Sequence, residues 1–336
     1  MNQQVLALAR EIKNHDYEGT ALGHLGFAYF AQGDSQKIIE YGQQALSVGR
    51  ESKSPIAEFY GLFNLSIGYG NLGNKEKALE YSQANLAIAR TPKFRQVFGA
   101  GGEPFALNIL GSIYTNAGQK EQAIAVYQES LAIDDNDFTA QVGLARTYRD
   151  LNMPITAITY YKQAIGRVEQ IRGKIIGLPQ QLQESFLQAV QVGRDRSKNT
   201  DIYRELADLL LSQKRILEAQ QVLELLKVQE LRDFTRNTRA GGKTTETAFT
   251  PTEERILKEN GTLVNFGQRL YECQQAQCNQ LSQLLDQRQA LTEQFNQKIQ
   301  TIEKEVRDRR AKEDAFLTPT NLPKLKKSSK PNPAQY

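Results

Sequence analysis

Leu110-Gly111-Ser112-Ile113-Tyr114, followed by Gly118, Ala123 and Ser130-Leu131, has three companions elsewhere in the 336-residue chain. Upstream stand Leu25-Gly26-Phe27-Ala28-Tyr29 with Gly33, Ile38 and Ala45-Leu46, and Leu65-Ser66-Ile67-Gly68-Tyr69 with Gly73, Ala78 and Asn85-Leu86. Downstream, Leu144-Ala145-Arg146-Thr147-Tyr148 precedes Asn152, Ala157 and Ala164-Ile165. A Leu and a Tyr four residues apart share one helix face, and the small residue after each leucine admits a second helix at close range. Gly33, Gly73 and Gly118 suit a turn that needs positive φ, and Asn152 is the residue type that best replaces Gly there. Repetition of this helix–turn–helix unit predicts an all-α solenoid of antiparallel helix pairs.

The pattern resembles the tetratricopeptide repeat (TPR). The leucine anchors fall at Leu25, Leu65, Leu110 and Leu144, so only the last step has that family's usual length of about 34 residues. The surplus between the second and third copies lies at Thr91-Pro92-Lys93 through Gly99 to Pro104, a composition read as loop. Between the first and second it lies around Glu51 to Pro55, read as a longer helix end. A fifth copy runs from Ile202-Tyr203 to Val222-Leu223. Before it, Ile175, Leu178, Leu182, Phe186, Leu187 and Val190 carry a helical period of their own, read as an inserted helix pair. Val5, Leu6, Leu8, Ala9 and Ile12 read as the second helix of a repeat that lacks its first. The expected organisation is a TPR array over 1–165 and the inserted and fifth helix pairs over 166–235. A linker follows at 236–251, then a long helix or helical hairpin over 252–316 and a disordered basic tail over 317–336.

The carboxy-terminal third carries a second resemblance. Leu206-Ala207-Asp208-Leu209-Leu210-Leu211, Leu225 to Leu231, and Glu305-Val306-Arg307-Asp308-Arg309-Arg310 are similar to the helical region that precedes the caspase-like CHAT domain in bacterial CHAT proteins. In that family the last run, continued here by Asp314 to Leu317 and Asn321-Leu322, lies just before the protease sheet. Here the chain passes instead into Pro323-Lys324-Leu325-Lys326-Lys327 and on to Pro333, and no apolar strand follows to present a catalytic His and Cys. The resemblance therefore implies a non-enzymatic sensor or regulatory part of a split or truncated CHAT system. Two other readings stand beside it: a self-associating helical regulator working through 252–312, and a truncated gene product without function. For the self-associating reading, Ile256, Leu263, Leu270, Leu284 and Leu291 fall on a sevenfold series broken at Gln277, with Leu281, Phe295 and Ile302 beside it. Gly261 and Gly267 weaken its start. A hairpin packed back on the last repeat is preferred over an intermolecular coiled coil.

Composition narrows the function classes further. Lys plus Arg number 42 against 38 Asp plus Glu, a net charge of +4. Lys324, Lys326, Lys327 and Lys330 account for that excess, so the remainder is balanced and no specific nucleic-acid partner is expected. No apolar run reaches the roughly 18 to 20 residues of a membrane span, which, with an amino terminus unlike a signal peptide, gives a cytoplasmic expectation. Cys273 and Cys278, five apart in a segment read as helix, would stand roughly 8 Å apart, too far for a disulfide, and are expected as reduced thiols. With only His15 and His24 besides, neither a metal site nor a cofactor is expected. Ala240-Gly241-Gly242-Lys243-Thr244-Thr245 ends like a phosphate-binding loop, but Asn237 stands where its first Gly belongs.

The TPR resemblance implies a concave groove lined by the first helix of each repeat. Counting from the leucine anchors, it assigns Phe27 and Phe30, then Tyr60, Phe63, Ile67 and Asn71, then Phe105, Asn108 and Asn116, and finally Arg146 and Arg149 to that wall. Asn amides grip a peptide backbone with donor and acceptor together, and paired Arg hold a carboxylate. The expected partner is a protein or peptide with an apolar end and an acidic end.

Overall fold

The computed structural model describes residues 2–175, 200–234 and 248–316. They form fourteen helices, with no strand among the described residues. Helix α1 (Asn2–Glu11) stands alone before the pairs α2 (His15–Gln32) with α3 (Ser35–Ser52) and α4 (Pro55–Asn71) with α5 (Lys75–Ala89). The short α6 (Pro92–Phe98) leads to α7 (Gly102–Ala117) with α8 (Lys120–Ile133), and α9 (Phe138–Asp150) with α10 (Pro154–Ile175). Next come α11 (Asp201–Ser212) with α12 (Ile216–Phe234), and the closing hairpin α13 (Pro251–Gln275) with α14 (Leu281–Phe316). The expected all-α solenoid is the fold found. The segment read as an inserted helix pair lies, beyond Ile175, outside the described residues, as do most of the linker and the basic tail.

Local sequence explains where each pair turns. Gly33, Gly73 and Gly118 take φ of 82°, 78° and 83°, and Asn152 takes 58°, ending the first helix of four pairs. Asp34 and Asn74 then cap α3 and α5 by accepting from Lys37 N and Lys77 N. Ser54 and Asp137 do the same for α4 and α9. The close approach asked of the small residue is visible at Gly111, where a Cβ would come within 2.6 Å of the Tyr127 ring.

Two sequence expectations are corrected here. The stretch from Thr91 to Pro104, read as loop, contains α6: Thr91 caps it, Pro92 sits at its first turn, and Gly99 with φ 86° ends it. What the composition hid is the anchor. Phe94 is fully buried, its ring 4.6 Å from that of Phe59, enough to hold a helix of seven residues that would not persist alone. The cysteines are the second correction. Helix α13 stops at Gln275, Gln277 turns the chain with φ 50°, and Cys273 and Cys278 come to a Cα separation of 5.1 Å and are disulfide-bonded. The thiol expectation failed because it assumed one unbroken helix.

The hairpin lies along α8 and α10, the second helices of the third and fourth pairs. Gly267, which in sequence looked like a weakness, is where α13 touches α8: a Cβ there would stand 2.5 Å from that of Ala132. Tyr160 donates to Asn260 Oδ1 at 2.8 Å. Glu303 of α14 accepts from Thr156 N at 2.6 Å and Thr156 Oγ1 at 2.8 Å, capping α10 from a distant part of the chain. Ile256, Leu263, Phe295, Ile299 and Ile302 join the same apolar cluster as Leu131, Ile158 and Val168. Of the sevenfold series, Ile256 and Leu263 are buried in that cluster and Leu291 packs against it, while Leu270 and Leu284 pack with each other and Cys273 inside the hairpin.

Candidate functional site

The first helices of the first three pairs carry a row of aromatic rings. Phe27 on α2 lies 6.2 Å from Phe63 on α4, and Phe63 lies 5.2 Å from Phe105 on α7. Tyr60 meets His24 edge-on at 5.7 Å and Phe98 of α6 at 6.3 Å. Phe27, Tyr60 and Phe105 are half-buried and His24 is exposed, so these side chains present an apolar, nearly uncharged strip. Phe30 and Phe63 do not belong to the accessible surface. Each is buried, and both pack with Ile38, Ile67 and Ile109 as the core between pairs. Ile67 is buried with them. Position within a repeat told which face these residues occupy; how tightly the neighbouring helix closes over them decides exposure.

The amide residues divide in the same way. Asn71 and Asn116 are exposed near the ends of α4 and α7. Asn108 is buried and donates to Asp137 Oδ2 at 2.7 Å, while Asp137 Oδ1 accepts from Thr139 N and Ala140 N at the start of α9. Burial pushes the Asp137 carboxyl up, against the pull of the Ser130 and Asn108 bonds. Asn108 therefore braces a helix cap, and its expected place on the groove surface is corrected.

Arg146 and Arg149 do converge, but on the chain's own carboxylate. Arg146 grips Glu205 of α11 with Nε to Oε2 at 2.9 Å and Nη2 to Oε1 at 2.6 Å. Arg149 Nη1 lies 3.3 Å from Glu205 Oε2, and Tyr161 donates to the same oxygen at 2.6 Å. Burial raises the Glu205 carboxyl, yet the bonds from Arg146 and Tyr161 outweigh it and hold it below its ordinary range. The expectation of an exposed Arg pair is corrected accordingly: the fork recognises a carboxylate, as its geometry suits, and Glu205 fills it.

One charged cluster had no place in the sequence reading. Lys162 of α10, almost wholly buried, donates to Glu253 Oε2 at 2.9 Å, Glu218 Oε2 at 2.8 Å and the Ala248 carbonyl at 2.7 Å. Arg215 completes it, its Nη1 2.6 Å from Glu253 Oε1. Glu253 also closes a capping box with Thr250 at the start of α13. That half was legible, since Thr250-Pro251-Thr252-Glu253 before an apolar run is a helix-start signal; the partners Arg215 and Lys162, 38 and 91 residues away in sequence, were not. Among the described residues no group of three or more His, Cys, Asp or Glu is placed to hold a metal ion, and no helix is long and apolar enough to cross a membrane. The stretch Ala240 to Thr245 lies outside the described residues.

Compared with known families, residues 106–141 match the tetratricopeptide repeat, a span covering most of α7, all of α8 and the first turn of α9. No curated protein matches the chain. The match and the helical fold together support a protein of TPR type. Repeats of this type generally mediate protein–protein interaction, and the fold is typically non-enzymatic.

Proposed function

We propose that the chain is a non-enzymatic scaffold that binds a peptide or protein segment along the wall formed by α2, α4 and α7. The observation that carries this reading is the half-exposed ring series Phe27, Tyr60 and Phe105 on three consecutive first helices. Asn71 and Asn116 supply exposed amides at one end of it. The segment bound is apolar and aromatic in its middle; an acidic end can reach Arg146 and Arg149 only by competing with Glu205. Similarity of the runs around Leu206, Leu225 and Glu305 to the region before the CHAT domain supports a setting as the sensor part of a CHAT-type protease system. The cytoplasmic location belongs to the same reading, and the Cys273–Cys278 disulfide is the observation against it, because such bonds are rare in reducing compartments. Self-association through 252–312 is the weaker alternative, since Ile256, Leu263 and Leu291 of its seam pack on the array and Leu270 and Leu284 pack with each other.

A peptide array probed with the full chain tests the proposal. Apolar, aromatic-containing peptides should be selected, and the double substitution Phe27→Gln with Tyr60→Gln should weaken them at least tenfold while helicity by circular dichroism stays unchanged. Equal binding by the double variant would remove the wall from consideration.

A further inference from the structure

Disulfides that form in reducing compartments are commonly transient and redox-sensing, and the place of Cys273–Cys278 in the fold gives this one something to act on. The bond joins residues 5 apart at the tip of the hairpin, where α13 ends at Gln275 and the chain turns through Gln277. Cys273 is buried with Leu270 and Leu284, whereas Cys278 is half-buried and Gln275, Ala276 and Gln277 between the two are exposed. A thiol in solution can therefore reach the Cys278 sulfur.

The closed ring touches α6. Gln275 is a member of it, and its Oε1 accepts from Arg95 Nη1. Arg95 Nη2 also stands 3.8 Å from Glu103 Oε2 at the start of α7, and Glu103 accepts from Arg90 Nε at 2.7 Å. Tyr271, one turn before Gln275, faces the same two groups: burial pushes its hydroxyl up, with Glu103 adding to the rise and Arg95 opposing it. Helix α6 in turn supports the aromatic wall. Phe94 and Phe98 stack at 4.8 Å, and Phe98 lies 5.5 Å from Phe59 and 6.3 Å from Tyr60. A helix of 7 residues does not persist alone, so its order depends on its tethers, and Gln275 is one of them.

We propose that Cys273–Cys278 is a reversible redox latch that sets the order of α6 and, through Phe98 against Tyr60, the affinity of the aromatic wall, a role that rests on the peptide-binding reading of that wall. The reductant is a dithiol. Its thiolate attacks Cys278, forming a mixed disulfide and expelling Cys273 as a thiolate that takes up a proton; its second thiol then displaces Cys278. The protein disulfide gains two electrons and becomes two thiols, while the dithiol is oxidised to a disulfide. Without the ring nothing covalent holds Gln277 at φ 50°, a region that residues with a side chain disfavour. The last turn of α13 then frays and Arg95 loses Gln275. Leu270 with Leu284, and Lys162 with Glu253, stay in place, so the change is confined to the tip, α6 and the wall.

The test compares the full chain oxidised and after reduction with dithiothreitol. Thiol titration of the folded protein should show both cysteines released. Hydrogen exchange of the α6 amides from Arg95 to Phe98 should quicken roughly fivefold on reduction, about the net worth of one hydrogen bond, with the α13 amides around Ile256 unchanged. The array of apolar, aromatic-containing peptides should bind the oxidised form more tightly by a similar factor, because an ordered α6 holds the wall ready. Gln275→Ala, at an exposed position, keeps the disulfide and removes the tether; it should exchange and bind like the reduced chain in both states. Cysteines that cannot be reduced without unfolding, α6 exchange indifferent to reduction, equal peptide binding by the two forms, or redox-dependent binding retained in Gln275→Ala would each overturn the latch. Peptide binding by neither form is a different result: it removes the wall itself, and α6 exchange still decides whether the tip and that helix are coupled.

Discussion

Removing Glu253 should unfasten the hairpin from the array, and the size of the effect follows from its surroundings. The carboxylate is fully buried and serves Lys162 at 2.9 Å, Arg215 at 2.6 Å and Thr250 N at 2.8 Å. Breaking a buried ion pair from one side costs roughly 3 to 5 kcal/mol, because the charge left behind stays buried without its partner. Lys162 keeps Glu218 and the Ala248 carbonyl, which places Glu253→Leu near the lower end, at about 3 kcal/mol with about 1 kcal/mol more for the lost cap. Lys162→Met leaves Glu253 with Arg215 and Thr250 N and should likewise fall near the lower end of that range. The double variant removes one charge of each sign and leaves Arg215 with Glu218, 2.6 Å apart. It should be milder than either single change, with a coupling of about 2 to 3 kcal/mol. Repeat arrays need not unfold in one step, so the quantity to read is the local opening free energy of α13 amides by native-state hydrogen exchange. Additivity of the two single effects within about 0.5 kcal/mol, or α13 protection unchanged in Glu253→Leu, would refute the idea that this cluster is the fastening.

Further outcomes follow from other contacts. Gly267→Ala, which in a free helix would gain about 1 kcal/mol, should instead destabilise the chain by about 1 to 3 kcal/mol, and Ala132→Gly in the same molecule should recover most of the loss in thermal unfolding. Glu205→Gln should cost about 1.5 to 3 kcal/mol at neutral pH. Because the folded carboxyl is held below its ordinary 4.5, its contribution is present above that value and lost as pH falls through the lower folded one; the melting-temperature gap between wild type and variant should therefore close on acidification through that window. Cys278→Ser should cost no more than about 2 kcal/mol, the loop-entropy value for so short a ring, and alkylation of the denatured, unreduced wild type should find no free thiol at these two positions. Light scattering of the full chain should give a monomer mass, since Ile256, Leu263 and Phe295 are buried within the chain.

The division between what was legible and what was not follows contact range. Leu and Tyr four apart, Gly or Asn at the turn, and Ser, Asp or Asn at the helix starts act within a few residues, so the sequence by itself determined an all-α solenoid and which face of each first helix a side chain occupies. Whether a residue on that face is open to a partner depends on neighbours further off. Phe63 is buried among side chains of α2 and α7, Asn108 is taken by Asp137, and the Arg146–Arg149 fork is filled by Glu205, 59 residues beyond Arg146. The disulfide, the α6 anchor and the Lys162 cluster likewise exist only once helices distant in sequence are laid together. Exposure and pairing are properties of packed surfaces, and only the tertiary structure decides which surfaces meet.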